Sequence, residues 1–222
     1  MNDGEVRRTR RAWLAHCSVL LATSAASAAW PRAAHAAAPT VLVVGDSLSA
    51  EYGLKRGSGW VALLEARLTQ AKIAATVINA SISGDTTSGG RSRLPALLAQ
   101  HQPGVVVIEL GANDALRGLP LAMTRDNLAA MTRAARAAGA KVLIAGMQLP
   151  PNYGRKYGDE FASLFATVAK TEGAALVPFL LKGVADGPQA ETLFQPDRIH
   201  PLAAAHPIIL DNVWPVLRPL VR

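Results

Sequence analysis

Three side chains of the sequence have the types and spacing that acyl transfer to a serine requires. That chemistry needs a hydroxyl, a base in reach of it, an acid that orients the base, and hydrogen-bond donors for the oxyanion. Ser47 follows an apolar segment that ends in Gly45, a residue that permits a tight turn. Asp197 and His200 are three residues apart, so one turn of the chain brings the carboxylate towards the imidazole ring. Asp197 would then fix the ring tautomer through Nδ1 and leave Nε2 to accept the serine proton.

Donors for the oxyanion are available at three places. The backbone N–H groups of Ser47 and Gly84 are two of them, and the side-chain amide of Asn113 is the third. Gly84 lets the chain come close to a reacting carbonyl because it has no side chain. Asn113 carries two N–H donors, and the loss of one oxyanion donor typically raises the barrier by about 2.7–4 kcal/mol.

Each of these residues also has a plainer interpretation. Ser47 could cap a helix that follows it, and Asn113 could satisfy the backbone of a turn. Asp197 and His200 could ligate a metal, although zinc needs at least three protein ligands and the sequence has neither an HExxH motif nor a pair of cysteines. His206 is another histidine near Asp197, but His200 is better spaced from that carboxylate. We therefore expect no metal at the site.

The elements that would position these residues alternate between strand and helix. Short apolar runs predict five strands, at 40–45, 75–79, 104–110, 141–146 and 174–178. Apolar residues at helical spacing predict helices that follow the strands, at 57–71, 87–100, 124–138, 159–172 and 202–217. Strands that are apolar throughout are typical of parallel sheets covered on both faces. We therefore predict one α/β domain with three layers, in which a five-stranded parallel sheet lies between two layers of helices.

The predicted sheet brings the candidate residues to one edge. Right-handed crossovers place the loops that follow parallel strands at the same edge of the sheet. Ser47 follows the first strand, Gly84 the second and Asn113 the third. Asp197 and His200 come after the fifth strand. The topology therefore predicts that all five residues converge.

Residues 1–36 have the features of an export signal. Arginines near the start form a basic region, a weakly apolar stretch follows, and a small-x-small pattern ends at Ala36. The paired arginines resemble a twin-arginine signal, with an ordinary secretory signal as the alternative. We therefore divide the chain into a signal peptide at 1–36 and one domain at 37–222. We expect a periplasmic or secreted protein with no stable membrane span once the signal is removed.

The composition excludes several other classes of protein. Of the 222 residues, 50% are hydrophobic, which is too large a share for a disordered chain. A single cysteine excludes a disulfide scaffold. The formal net charge of +7 does not indicate a nucleic-acid surface, because five of the arginines lie within residues 1–36 and the other charges are spread along the chain.

Four ordered sequence blocks resemble those of the SGNH, or GDSL, hydrolase family. They are GDSLS at 45–49, Gly84 within SISGDTTSGG, GAND at 111–114 and DRIHP at 197–201. Further segments are similar to the branch called thioesterase I, arylesterase or lysophospholipase, namely NASISGDT at 79–86, RLPALLAQHQP at 93–103, LRG at 116–118 and LPPNYGRKY at 149–157. The resemblance covers about residues 40–218, and four blocks in order are far more specific than any one of them.

The resemblance implies a flavodoxin-like SGNH hydrolase fold and a role for each block. Ser47 would be the nucleophile, and its N–H would form the oxyanion hole with Gly84 and Asn113. Asp197 and His200 would be the orienting acid and the base. The loop at 149–157 would line an acyl groove. Candidate substrate-binding residues, which could also be ordinary packing residues, are Leu48, Leu116, Leu149, Pro150 and Tyr153.

The resemblance implies an exported serine esterase that needs no metal or cofactor. Its substrates would be acyl esters and thioesters, including aryl esters, fatty-acyl esters and lysophospholipid-type molecules. We expect a monomer whose partner is a small-molecule or lipid acyl substrate, and no binding to nucleic acid. Two alternatives stay open: a carbohydrate O-acetyl esterase of the same fold, and an exported module that binds acyl groups or lipids without catalysis.

Overall fold

Five parallel strands form the sheet at the centre of the protein. The computed structural model describes residues 38–221, so the expected signal peptide at 1–36 lies outside the described residues. The strands are β1 (Thr40–Gly45), β2 (Thr76–Asn79), β3 (Val105–Glu109), β4 (Lys141–Ala145) and β5 (Ala175–Val177). They are ordered β2-β1-β3-β4-β5, and each neighbouring pair is parallel. This is the flavodoxin-like order of a doubly wound sheet, so the predicted fold is confirmed.

Apolar side chains explain why β1 and β3 lie at the middle of the sheet. The four valine and isoleucine side chains of β3 are wholly buried, and so are the apolar side chains of β1 from Val41 to Val44. β-branched residues suit a pleated strand that is covered on both faces. Glu109, the last residue of β3, is also wholly buried although it is ionisable.

Six helices cover the two faces of the sheet. They are α1 (Trp60–Gln70), α2 (Thr87–His101), α3 (Ala112–Leu116), α4 (Leu121–Ala137), α5 (Arg155–Glu172) and α6 (His206–Leu217). Helices α1 and α6 contact each other, whereas α4 contacts both α2 and α5. The helices therefore form two layers, as predicted. Among residues 38–221, no helix combines the length and the apolar character that crossing a membrane requires.

The predicted helix boundaries were wrong at several ends. Helix α5 begins at Arg155 instead of residue 159, and α4 begins at Leu121 instead of residue 124. The first turn of α5 is mostly polar and carries no apolar periodicity, so the sequence pattern missed it. The first turn of α4 contains Leu121 and Met123, and the sequence placed its start one turn too late. The predicted helix at 202–217 is divided into a 3₁₀ turn, Ala203–Ala205, and α6. Its proline at position 207 lies in the first turn of α6, where no helical N–H is lost.

Gly146 connects β4 to the segment after β5. Its N–H donates to Val177 O at 2.8 Å, and its carbonyl accepts from Leu180 N at 2.8 Å. A Cβ at this position would lie 2.5 Å from the carbonyl oxygen of Pro178, which is backbone and cannot turn away. Only glycine therefore fits here without a shift of the main chain.

We expect Gly146→Ala to lower the free energy of unfolding by about 1–3 kcal/mol, because the added methyl group overpacks a backbone contact. Unfolding in urea measures the change. Gly158→Ala is the matched control, since a Cβ at Gly158 in α5 meets nothing within 4 Å. That variant should gain about 0.5–1 kcal/mol from the helix preference of alanine. Equal losses in both variants would contradict the packing argument.

Candidate active site

Ser47 lies in a tight turn directly after β1. The carbonyl of Asp46 accepts from Ser49 N and Ala50 N, at 3.2 and 2.9 Å, and the Asp46 carboxylate accepts from Leu48 N at 3.0 Å. These bonds hold the turn on which the hydroxyl stands. Ser47 does not cap the next helix, because α1 begins after Gly59 and has no side-chain cap.

Asp197 and His200 lie on a short closed loop opposite Ser47. An antiparallel bridge between Phe194 and Pro201 closes this loop. One carboxylate oxygen of Asp197 accepts from His200 N at 3.0 Å, and the other lies 2.7 Å from Nδ1 of the ring. Nε2 of His200 lies 2.9 Å from Oγ of Ser47. The structure thus joins the three predicted side chains in one hydrogen-bonded series.

Hydrogen bonds keep Asp197 ionised. Its slight burial would raise the pKa, but N–H groups of His200 and Ile199 and the His200 ring outweigh that effect and lower the pKa of Asp197 to about 2. An ionised carboxylate only accepts hydrogen bonds, so Nδ1 of a neutral His200 ring carries the hydrogen. Nε2 is then free to accept the hydroxyl hydrogen of Ser47.

Tyr52 covers one face of the His200 ring. The two ring centroids are 4.3 Å apart with an interplanar angle of 38°, and Tyr52 is 49% exposed. Its backbone carbonyl accepts from Gln195 Nε2 at 2.9 Å, which ties it to the histidine loop. Tyr52 was not among the residues predicted from the sequence. An aromatic side chain in a glycine-bearing loop close after Ser47 was the available signal.

The predicted oxyanion donors come from loops on both sides of Ser47. Gly84 has φ +79°, a conformation that favours glycine, and its carbonyl accepts from Arg117 Nη2 at 2.7 Å. Among residues 38–221, the N–H groups of Ser47 and Gly84 have no hydrogen-bond acceptor. Nδ2 of Asn113 donates to Asp46 Oδ2 at 3.0 Å and to Asp85 O at 2.9 Å. Both N–H groups of the Asn113 amide are thus engaged with the protein, and its role as an oxyanion donor stays a prediction.

Arg93 of α2 ties the loop that contains Gly84 to the end of β1. Its Nε donates to the Asp85 carboxylate at 2.8 Å, and its two Nη atoms donate to the carbonyls of Ala80 and Gly45. The Asp85 carboxylate also accepts from Thr86 N at 2.9 Å. The role of Arg93 was not predicted, because it depends on contacts with residues far away in sequence.

The predicted substrate-binding residues differ in exposure. Leu48 is only 5% exposed and packs in the hydrophobic core, because the turn after β1 directs its side chain inwards. It therefore presents almost no surface to a substrate, which corrects the expectation from its position next to Ser47. Leu116 and Leu149 are half-buried, whereas Pro150 and Tyr153 are exposed. A substrate role for these four residues stays a prediction.

His206 is excluded as the base in Ser47 activation. It is buried, and its Nδ1 accepts the N–H of Trp60 at 3.0 Å. Burial also lowers the pKa of His206. Within the described range 38–221, no three His, Cys, Asp or Glu side chains are grouped as metal ligands would be.

Most of the chain matches the sequence profile of one known protein family. The profile of the GDSL-like lipase/acylhydrolase family matches residues 43–208, a segment that includes Ser47, Gly84, Asn113, Asp197 and His200. The chain belongs to this family. It is thus an ester hydrolase, and the resemblance stated from the four sequence blocks is confirmed.

Individual GDSL-like proteins are similar over most of the chain. Esterase TesA of Pseudomonas aeruginosa is 55% identical over 186 residues, which are 84% of this chain and 91% of that protein. Thioesterase 1/protease 1/lysophospholipase L1 of Escherichia coli (strain K12) is 44% identical over 187 residues, 84% of this chain and 87% of that one. A crystal structure of the psychrotrophic esterase EstA from Pseudoalteromonas sp., inhibited by monoethylphosphonate, is 39% identical with a TM-score of 0.76, covering 82% and 97% of the two chains.

Replacement of Asp197 by Asn should lower kcat by about 10⁴-fold, because an amide favours the wrong tautomer of the histidine. Steady-state hydrolysis of a p-nitrophenyl ester measures the loss. Asp159→Asn is the control, since Asp159 is exposed on α5 and the substitution removes the same charge outside the histidine loop. A loss below tenfold in Asp197→Asn would contradict the orienting role.

The lowered pKa of Asp197 also predicts how stability depends on pH. The pKa of Asp197 is about 2 in the folded protein, below its ordinary value of 3.8, so its ionised form stabilises the fold at pH values above 3.8. This contribution to stability is lost as the pH falls through about 2. The difference in unfolding free energy between wild type and Asp197→Asn should therefore shrink as the pH falls from about 4 to about 2. Urea unfolding at a series of pH values in this acid range checks this. A difference that grows over the same range would refute the lowered pKa of Asp197.

Proposed function

We propose that the protein is an exported serine esterase that cleaves acyl esters and thioesters through an acyl-enzyme on Ser47. The observation that carries the proposal is the hydrogen-bonded series from Asp197 through His200 to Ser47, with separations of 2.7 and 2.9 Å. These lengths lie within the reach that proton transfer needs. Export rests on the signal-like residues 1–36 and makes the site of action periplasmic or extracellular.

The first half of the mechanism forms the acyl-enzyme. Oγ of Ser47 attacks the substrate carbonyl while Nε2 of His200 takes the hydroxyl proton. The ionised Asp197 stabilises the imidazolium that results, since it lies on the opposite ring nitrogen. The carbonyl oxygen becomes negative and accepts from the N–H groups of Ser47 and Gly84 and from the Asn113 amide. His200 then gives its proton to the leaving oxygen or sulfur, and the C–O or C–S bond breaks.

The second half returns the enzyme to its starting state. A water molecule attacks the acyl carbon, and Nε2 of His200 accepts one of its protons. The same donors stabilise the second oxyanion. The bond to Oγ of Ser47 breaks, Oγ regains the proton from His200, and the carboxylic acid leaves. No step in this cycle requires a metal or a cofactor.

The surroundings of His200 favour aryl esters among the substrates. The leaving group must lie next to Nε2 of His200 to receive its proton, and the half-exposed ring of Tyr52 lies against that imidazole. An exposed aromatic face offers good packing to a flat apolar leaving group. Fatty-acyl esters, thioesters and lysophospholipid-type substrates are further proposed from the names of the relatives, which include a thioesterase and a lysophospholipase.

Labelling with a fluorophosphonate tests the nucleophile directly. Wild type should bind the probe at Ser47, and Ser47→Ala should lose both labelling and turnover, with kcat lower by at least about 10⁴-fold. Ser163→Ala, on the exposed face of α5, is the matched serine control and should keep both. Labelling that persists in Ser47→Ala would refute the assignment.

A series of p-nitrophenyl esters distinguishes the proposed substrates from the alternatives. The proposal expects kcat/KM to rise from acetyl to medium acyl chains, because a longer chain buries more apolar surface. A maximum at acetyl would favour a carbohydrate O-acetyl esterase. A folded wild type with neither labelling nor turnover would favour a module that binds acyl groups without catalysis.

A further inference from the structure

Two carboxyl groups are buried side by side beneath the turn that holds Ser47. One is Asp46, which precedes the serine, and the other is Glu109, at the end of β3. They are 1% and 0% exposed. The mechanism above uses neither of them. Burial of an ionisable group costs free energy unless it is neutral or well paired, so the pair calls for a physical explanation.

The position of Glu109 follows from the register of the sheet. Glu109 pairs with Gly45 across β1 and β3. A Cβ on residue 45 would lie 2.8 Å from Oε2 of Glu109 and 2.9 Å from Oγ of Ser49. Glycine at the first position of the GDSLS block therefore makes room for the Glu109 carboxyl group.

The two oxygens of Glu109 have different surroundings. Oε2 accepts the hydroxyl of Ser49 at 2.7 Å and the N–H of Asp46 at 3.2 Å. Oγ of Ser49 in turn accepts from Nε1 of Trp60 at 3.2 Å, which fixes the direction of its hydroxyl hydrogen. Oε1 is fully buried and receives no hydrogen bond from residues 38–221. If Oε1 carries the carboxyl hydrogen, it is no longer a buried acceptor without a donor, and the hydrogen can be given to the neighbouring Asp46 carboxylate.

The electrostatic surroundings also favour a neutral Glu109. Its burial and the neighbouring charge of Asp46 raise the pKa of Glu109 well above its ordinary value, and a side-chain hydrogen bond with Asp46 acts in the same direction. Burial raises the pKa of Asp46 too, to about 6, so Asp46 is the ionised partner at neutral pH. Two adjacent carboxylates cannot both ionise at a buried site without a large penalty.

Other ionisable groups face this pair from the surrounding elements. Arg93 of α2 reaches the Gly45 carbonyl at 3.3 Å but forms its ion pair with Asp85. Asp85 raises and His200 lowers the pKa of Asp46 through their charges. The buried His206 lies beyond Trp60 and bonds to its backbone N–H. None of these described groups gives Glu109 a cation of its own.

Asp46 connects this buried pair to the reacting groups. One of its oxygens accepts from Leu48 N at 3.0 Å, within the turn of Ser47. The other accepts from Nδ2 of Asn113 at 3.0 Å. Asp46 therefore joins the serine turn to the Asn113 amide, and together with the Asp85 carbonyl it holds that amide in place.

We propose that Glu109 is a neutral positioning residue whose carboxyl proton is donated to the Asp46 carboxylate, so that Asp46 holds the Asn113 amide towards the reacting carbonyl. The proposal rests on the proposed function, because Asn113 matters here as an oxyanion donor. Glu109 touches no substrate and acts only through Asp46. Its carboxyl group accepts two hydrogen bonds on one oxygen and donates one from the other.

Two substitutions separate this role from simple filling of space. Glu109→Gln keeps the pattern, since its amide oxygen accepts from Ser49 and Asp46 while its NH₂ donates to the Asp46 carboxylate. Glu109→Met has a similar volume but neither donates nor accepts usefully. We expect kcat of Glu109→Gln within about fivefold of wild type, and kcat of Glu109→Met about 10²-fold lower with KM changed less than threefold, the size of one lost oxyanion donor.

The dependence of kcat on pH also distinguishes the two roles, because a Glu109 side chain that only filled space would not change it. Ionisation of Glu109 at alkaline pH removes the donor and places two anions together, so kcat of wild type should fall on the alkaline side. Glu109→Gln cannot ionise and should keep its rate there. The acid side is less informative, because burial raises the pKa of Asp46 to about 6, so Asp46 itself takes up a proton there. An alkaline fall of equal size and midpoint in both proteins would overturn the proposal.

Infrared difference spectroscopy between wild type and Glu109→Gln observes the proton itself. The wild-type spectrum at neutral pH should contain the carbonyl band of a protonated carboxyl group that the variant lacks. Absence of that band, or a kcat of Glu109→Gln as low as that of Glu109→Met, would overturn the proposal. These two measurements decide the question even if Glu109→Met does not fold. Failure of the proposed function itself is distinguishable, because wild type would then neither bind the fluorophosphonate nor turn over.

Discussion

The parallel pairing of β1 with β2 on one side and β3 on the other is the constraint on which the site depends. Beyond the end of β2 the chain continues along β1, with Ala80 N donating to Val43 O at 2.9 Å and Ile82 N to Gly45 O at 3.0 Å. This extension carries the loop of Gly84 to one side of the serine turn. The end of β3 delivers Asn113 to the other side. The predicted oxyanion donors are therefore positioned by backbone hydrogen bonds of the sheet and its extension.

The pKa values of two carboxyl groups near Ser47 are shifted in opposite directions, because the surroundings of the two groups differ. Asp197 is partly exposed and accepts hydrogen bonds from backbone and ring N–H groups, which favour the charged form. Glu109 is wholly buried beside another carboxyl group, which favours the neutral form. The carboxyl group of Asp197 is thus an anion next to the His200 ring. We propose that the carboxyl group of Glu109 is instead a neutral hydrogen-bond donor below the turn of Ser47.

The sequence was sufficient to predict the strands and the candidate residues, since both depend on local signals. Apolar runs identify buried strands, and each of the five residues follows a strand in an ordered block. Tyr52 and Glu109 could not be predicted, because their contacts depend on pairing between distant segments. Leu48 was placed on the substrate side from its neighbour alone, but the turn at Asp46 directs it into the core. The predicted start of α5 was wrong because its mostly polar first turn lacks apolar periodicity.

The histidine loop closes on itself, and this has a consequence for how the enzyme can diverge. Besides the bridge between Phe194 and Pro201, Gln195 N donates to His200 O at 2.8 Å, so the loop keeps its shape largely by internal contacts. In the described part of the chain, no hydrogen bond joins it to the segment at 149–157. The segment at 149–157 is the predicted substrate-binding segment, so we expect insertions or exchanges there to change recognition without moving the loop of Asp197 and His200. Selection would then act on recognition and on chemistry almost separately.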